Sequence, residues 1–248
     1  MKKILILVPH PDDEIVGTSI IIKNMLERGC SISLFFLSNG VIDSDEMWLW
    51  KRKCYREYVE KRINEMKKSI KFLNIKNFYL QDIPTRCLKL NIPITYSKIK
   101  ELVKSIKIDT IFAPAYEGGH QDHDIANFIA SKFKDKLNVY EFSEYNYNNH
   151  SIKSNSFIKN FGEEKTIVLS KGEVKFKRDA MKIYESEENN LNYIEIKQEC
   201  YRPLIDYDYL SPPHKGILFY RRFSFFSLHP KVDSTHPSEV CRIINEYR

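Results

Sequence analysis

The sequence predicts an α/β protein with a Rossmann-like, three-layer fold built on a mostly parallel sheet. Apolar runs of strand length alternate with amphipathic helical patterns from the start of the chain to about residue 145, and parallel strands need such crossover helices. The first run, "ILILV", is apolar at every position, which is typical of a parallel strand buried on both faces.

The predicted elements follow one another directly. A helix after the first strand ends at Gly29, a residue suited to a left-handed C-cap. The second strand is followed by a long amphipathic helix, predicted from Trp48 to about Leu73. The elements from the second strand onward are the strand "SISLFFLS", the long helix, the strand "NFYL", the helix "SKIKELVKSIK", the strand "TIFAPA", the helix "QDHDIANFIASKF" and the strand "NVYEF".

The remaining part, about residues 146–248, is less regular. It contains one further strand pattern, "EEKTIVLS", and one helical pattern, "GEVKFKRDAMKIY". We expect this part to complete the sheet edge, to roof the site and to shape substrate choice. We therefore predict a single domain over residues 1–248, with its core in about 1–145, because a chain of 248 residues can bury one large α/β core.

The composition argues against a membrane-spanning, a secreted, a disulfide-rich and a nucleic-acid-binding protein. The apolar share is 42%, and no apolar run approaches the roughly 20 residues that span a bilayer. The N-terminal run is too short for a signal peptide, so we expect a cytoplasmic protein. Five cysteines without a CxxC pair indicate reduced thiols. The net charge is +6, but lysines alternate with glutamates and no recognition motif accompanies them, so we expect no nucleic-acid partner.

Three consecutive acids follow the first strand in "PHPDDE". Adjacent carboxylates repel one another unless a positive charge lies among them. A turn entering a helix can bring His10 and Asp13 toward one point, where they offer two metal ligands. The alternative is that Asp12 or Asp13 only caps the helix, with Glu14 in its first turn, but this leaves His10 unexplained.

A second cluster, "GGHQDHD", follows the fourth predicted strand. It places His120 and His123 on either side of Asp122. In the common doubly wound order this strand lies beside the first, and sites in such sheets lie at the carboxyl ends of strands. His10 and Asp13 supply two ligands, and a histidine of this second cluster supplies the third. Two imidazoles and one carboxylate form a catalytic zinc set with a position open for water. Alternatively, Asp122 and Asp124 only begin the next helix.

Together, "PHPDDE" and "HQDH" resemble the LmbE-like or PIG-L family of zinc-dependent N-deacetylases. The hallmarks of that family are an (A/P)HPDDE motif at a strand end and an HxDH motif. The resemblance implies that Asp12 is the general base, that His120 stabilises the oxyanion, most usefully as an imidazolium, and that Asp122 orients His120. The zinc ligands that it implies are His10, Asp13 and His123.

Weaker matches extend the resemblance toward the substrate. The segment "RINE" contains Arg62, and "LNIKNFYLQD" ends at Asp82; in the family such residues lie near the sugar, so both are candidate substrate-binding residues. A helix salt bridge and a loop acid are the alternatives. Glu14 is assigned to the helix N-terminus, with a supporting role behind the ligands or at the substrate.

The resemblance implies one Zn²⁺ per chain, with Fe²⁺ or another divalent ion as the alternative, and hydrolysis of the acetamide of a GlcNAc-like sugar. Its carrier is a glycoside, a nucleotide sugar or a glycolipid, and the basic charge favours an anionic one. Three rivals stay open: a Mg²⁺-dependent phosphoryl-transfer enzyme, which leaves the histidines unused, an iron(II) oxygenase, and a non-catalytic sugar-binding module. The sequence leaves the oligomeric state open.

Overall fold

The computed structural model describes residues 1–148, 150–226 and 228–248. Strands and helices alternate through the N-terminal part, as the sequence predicts. Its elements are β1 Lys3–Val8, α1 Asp13–Val16, α2 Ser19–Glu27, β2 Ser31–Phe36, α3 Tyr55–Phe72, β3 Asn77–Leu80, α4 Ile92–Ser105, β4 Thr110–Pro114, α5 Gln121–Ser131 and β5 Asn138–Phe142. The C-terminal part adds β6 Tyr145–Asn148, β7 Ser151–Ser154, β8 Lys165–Val168, α6 Lys171–Met181, α7 Glu188–Leu191, β9 Gln198–Pro203 and α8 Pro237–Glu246.

Within the described residues, the central sheet has seven strands in the order β3-β2-β1-β4-β5-β9-β8. The strands β1 to β5 pair in parallel, whereas β9 and β8 join the far edge antiparallel. The hairpin of β6 and β7 stands apart from this sheet. The prediction of a mostly parallel sheet whose edge is completed by the C-terminal part is confirmed.

Strand β1 separates two apolar layers because successive side chains point to opposite faces. Leu5 and Leu7 pack in one core with residues of α4, α5 and α8. Ile4, Ile6 and Val8 pack in the other with residues of α1, α2, α3 and α6. This burial on both sides explains the uninterrupted apolar run at the start of the chain.

Several helix boundaries differ from the sequence prediction, among them the start of α4, which lies at Ile92 rather than Ser97. The helix after β1 is interrupted between α1 and α2 at Gly17, where a Cβ atom would lie 2.5 Å from the Phe142 ring. The long helix begins at Tyr55 rather than Trp48, because the apolar repeat itself begins there and the exposed residues before it have no core to face. Among the described residues, no helix combines the length and apolar character that spanning a bilayer requires.

Candidate metal centre and active-site cavity

Two neighbouring strands carry the site. The turn after β1 holds His10 and leads into α1, whose first residue is Asp13. The loop after β4 ends at His120, the N-cap of α5, and His123 lies in the first turn of that helix. Because β1 pairs with β4 in parallel, the carboxyl ends of both strands open at the same edge of the sheet.

Three donor atoms form a nearly equilateral triangle at this edge. His10 Nδ1 lies 3.1 Å from Asp13 Oδ2, His123 Nε2 lies 3.2 Å from the same oxygen, and the two nitrogens are 3.4 Å apart. Donors bound at about 2.1 Å to a tetrahedral ion stand roughly 3.4 Å from one another. The buried triangle of two nitrogens and one oxygen therefore fits a divalent metal ion.

A second group of donors, His10, His120 and Asp122, is also close enough for a metal. Its carboxylate is the more heavily engaged of the two, since Asp122 Oδ2 accepts the Arg86 N–H at 2.6 Å and the Thr85 hydroxyl at 3.2 Å, whereas Asp13 Oδ2 accepts the His10 N–H at 2.8 Å. The triangle of His10, Asp13 and His123 is therefore the better candidate for a metal position.

Each ligand histidine has a carboxylate behind it. Asp122 Oδ2 lies 3.0 Å from His10 Nε2, and Glu144 Oε2 lies 3.4 Å from His123 Nδ1. The hydrogen bond with Asp122 orients the His10 ring and leaves its other nitrogen facing the triangle, whereas Glu144 approaches His123 without a hydrogen bond among the described residues. Although burial raises it, the pKa of Asp122 is held below its usual range by the hydrogen bond with His10 and the neighbouring His120, so Asp122 stays a carboxylate.

Asp12 lies beside the triangle in a strained backbone conformation, with φ of 133°. Strain of this kind costs on the order of 1–3 kcal/mol and is concentrated at functional sites. Its Oδ2 accepts a hydrogen bond of 3.0 Å from Arg62. Burial raises the pKa of Asp12 to about 8, and the Arg62 guanidinium limits that rise. A carboxyl group at this position is a candidate general base.

His120, the N-cap of α5, lines the cavity. Its Nδ1 accepts the backbone N–H of Asp122 at 3.0 Å, so the proton of the neutral ring is on Nε2. Burial, reinforced by the nearby His10, lowers the pKa of His120 well below its usual range. This direction favours a neutral ring, whereas the resemblance implied an imidazolium. Asp122 Oδ2 lies 3.0 Å from His10 Nε2 and 3.7 Å from His120 Nδ1.

The three candidate substrate-binding residues occupy different places. Arg62 lines the cavity but is buried, and its guanidinium bridges Asp12 and Glu187, the latter at 2.6 Å. Glu14 lies within α1 and is buried, and it accepts hydrogen bonds from the Tyr184 hydroxyl at 2.5 Å and from Ser69. Asp82 is exposed and outside the cavity lining; it accepts from Asn39 at 2.9 Å.

Sequence reasoning missed Glu144. It follows β5, the neighbour of β4, so its place just after a parallel strand is the signal that could have found it. Sequence reasoning also missed Ser186 and Glu187, which hold Arg62 from the C-terminal part; no local pattern marks them.

The cavity above the triangle has a volume of about 650 Å³. Asp12, Asp13 and His120 line it together with residues of the C-terminal part, including Tyr193, Phe219 and Arg222. The expectation that the C-terminal part roofs the site agrees with this arrangement. A cavity of this size holds a ligand larger than one sugar ring.

The sequence of this chain is similar to a family model and to a curated protein. The model of the GlcNAc-PI de-N-acetylase family, PIG-L, matches residues 5–134. The diacetylchitobiose deacetylase of Thermococcus kodakarensis is 27% identical over 136 residues, which are 52% of this chain and 48% of that protein. The chain thus spans about half the length of this curated relative.

Solved structures share the fold. A deacetylase of the teicoplanin biosynthesis pathway superposes with a TM-score of 0.65 at 12% identity, over 84% of this chain and 99% of that one. The 4-carboxy-2-hydroxymuconate hydratase GalB of Pseudomonas putida superposes with a TM-score of 0.58 at 12% identity, over 84% of this chain and 98% of that one. Since a hydratase has the same fold, the fold alone does not fix the reaction.

Proposed function

Because this chain belongs to the GlcNAc-PI de-N-acetylase family, PIG-L, we propose that it is a metal-dependent hydrolase that removes the acetyl group from an N-acetylated amino sugar. The observation that carries the proposal is the donor triangle with Asp12 beside it, at a cavity large enough for a glycoside. Metal ligands and a base within one cavity are what hydrolysis of an unreactive amide needs.

The donor set favours zinc. His10, Asp13 and His123 offer two imidazole nitrogens and one carboxylate oxygen, the set of many catalytic zinc sites. Magnesium prefers oxygen ligands throughout, so this set counts against the phosphoryl-transfer alternative. Iron(II) accepts the same three ligands, and the metal content of the purified protein distinguishes the two ions.

The mechanism assigns one task to each residue. An ion held by the triangle would supply a Lewis acid that activates water and polarises the amide carbonyl. Asp12 takes a proton from the attacking water. His120 donates its Nε2 proton in a hydrogen bond to the carbonyl oxygen as that oxygen becomes negative, a contribution typically worth about 3 kcal/mol. Asp12 then returns its proton to the leaving nitrogen, and acetate and the free amine result.

The substrate is expected to carry an anionic group beyond the sugar. Lys51, Arg222 and Lys231 line the cavity together with aromatic rings such as Trp48 and Phe219. Sugar rings stack on aromatic faces, and cations favour a phosphate or carboxylate. A phosphorylated or nucleotide-linked N-acetylhexosamine fits this lining better than a neutral glycoside does.

The test is acetate release from a panel of N-acetylhexosaminides that are free, glycosidic or nucleotide-linked. We compare zinc-loaded protein, chelator-stripped protein and the Asp12→Asn variant. Zinc-dependent release that the variant lacks supports the proposal. If the zinc-loaded protein releases no acetate but adds water to the double bond of an unsaturated acid, the chain is a hydratase and the proposal fails. Stoichiometric zinc with neither activity would leave a sugar-binding role and would also overturn it.

A further inference from the structure

Two segments at the cavity mouth expose large apolar side chains. We call residues 47–51 and 222–231, without Ser227, the aromatic rim. Leu49, Phe225 and Leu228 are 75%, 96% and 94% exposed. Monomeric proteins rarely gather such side chains in one place without a partner. The rim includes the exposed large apolar residues Trp48, Leu49, Trp50, Phe223, Phe225, Phe226 and Leu228.

The two segments meet in space. Trp48 stacks on Trp50 with ring centroids 5.1 Å apart, and its other neighbour is the His229 ring at 5.9 Å in an edge-to-face arrangement. Trp48, Phe223 and His229 also line the cavity. The rim is therefore one surface from two distant parts of the chain, and it borders the entrance to the site.

The rim lies within basic sequence. Residues 47–56 and 209–232 contain no Asp or Glu, and their Lys and Arg residues are Lys51, Arg52, Lys53, Arg56, Lys215, Arg221, Arg222 and Lys231. Among the described residues, Asp45 lies 3.5 Å from Arg52 and Asp82 lies 3.4 Å from Arg56. No ion pair within 4.0 Å involves the other six cations in the part of the chain that the structure describes.

We infer that the aromatic rim docks the cavity mouth on an anionic lipid surface. Trp and Phe side chains partition into the interface of a bilayer, where their rings reach the boundary of the acyl chains. Lysine and arginine residues around them are attracted to anionic headgroups. A second copy of this chain is a poorer occupant, because a symmetric interface would place these cations opposite one another. Docking concerns the position of the cavity mouth and does not depend on the reaction.

The experiment is co-sedimentation of the full chain with vesicles of phosphatidylcholine alone and of phosphatidylcholine with phosphatidylglycerol. We expect binding to the anionic vesicles that weakens as salt is added. The variant Leu49→Ser/Leu228→Ser removes one exposed side chain from each segment and should lower the partition coefficient at least about tenfold. The matched control, Leu90→Ser/Val168→Ser, changes two residues of 67% and 76% exposure outside the rim and should bind like the parent protein.

Each other outcome overturns the inference. If the parent protein fails to bind anionic vesicles, there is no docking on such a surface. If the rim variant and the control lose binding equally, the rim is not the docking surface. If sedimentation equilibrium shows that the parent protein is a dimer and the rim variant a monomer, and neither binds vesicles, the rim is an interface between two copies. Vesicle binding is measured without turnover, so its failure is distinguishable from failure of the proposed reaction.

Discussion

The Nζ atom of Lys177 lies 2.8 Å from Glu199 Oε1, and neither side chain is exposed to solvent. The same lysine donates to the Val16 carbonyl at 2.6 Å, at the end of α1. The Glu199 carboxylate accepts the N–H groups of Ile20 and Ile21, the otherwise unpaired donors at the start of α2. This pair from the C-terminal part thus fixes the junction between the two helices that follow the metal-binding turn.

Removing the lysine should therefore destabilise the fold. Lys177→Met leaves a buried carboxylate without its cation, which typically costs about 3–5 kcal/mol. The measurement is the free energy of unfolding from urea denaturation. Lys182→Met is the matched control, since Lys182 forms an exposed ion pair with Asp179 and such pairs contribute at most about 1 kcal/mol. Equal stabilities of the two variants would show that the buried pair contributes little.

The sequence was informative where structure is local. The buried parallel strands were predictable because their apolar runs need only their own residues to be recognised. The need for glycine at position 17 was not predictable, because the side chain that leaves no room for a Cβ atom there is Phe142, which lies on β5 more than a hundred positions later. The pair of Lys177 and Glu199 was equally hidden, since no spacing rule connects either residue to the α1–α2 junction.

In the candidate site, too, the residues within short motifs were predictable and their partners from elsewhere in the chain were not. His10, Asp13 and His123 lie in two short motifs, and their convergence followed from the expected strand order. The partner of His123 did not, because Glu144 has no motif around it. The placement of Asp122 against His10 depends on side-chain orientation, which a sequence pattern does not contain.

Glu144 should strengthen metal binding without touching the metal. Glu144→Leu removes the carboxylate behind His123 and should weaken zinc affinity about 10- to 100-fold. Glu144→Gln should have a smaller effect, because its amide oxygen can still accept from His123 Nδ1. Competition with a chromophoric chelator measures both affinities, and Asp82→Asn, an exposed carboxylate outside the cavity, is the control. Unchanged affinity in the leucine variant would remove Glu144 from the site.

Asp12 should matter for turnover and not for metal binding. Asp12→Asn keeps the size of the side chain but removes the base, so the rate of acetate release should fall about 10²- to 10⁴-fold, while zinc content stays at the parent level. His123→Ala should instead lose zinc. Rates and metal content are measured on the same preparations. A fully active Asp12→Asn variant would contradict the proposed mechanism.

Glu117 should make stability depend on pH. The residue follows β4, and its buried carboxylate accepts from the Ile158 N–H at 2.5 Å and from the Ser143 hydroxyl at 2.9 Å. Burial raises its pKa from 4.5 to about 7. The folded protein therefore holds this proton more tightly than the unfolded chain does. The stabilisation is complete below pH 4.5 and is lost as the pH rises through 7, a change of about 3 kcal/mol.

Glu117→Gln tests this dependence because the amide resembles the protonated acid and does not titrate. Relative to the parent protein, the variant should gain stability from pH 5 upward by up to about 3 kcal/mol, and the gain should level off above about pH 7, whatever its stability at pH 5. The measurement is urea denaturation of both proteins across that range. Parallel pH profiles would mean that Glu117 has an ordinary pKa in the folded protein, and a gain toward low pH would reverse the sign of the argument.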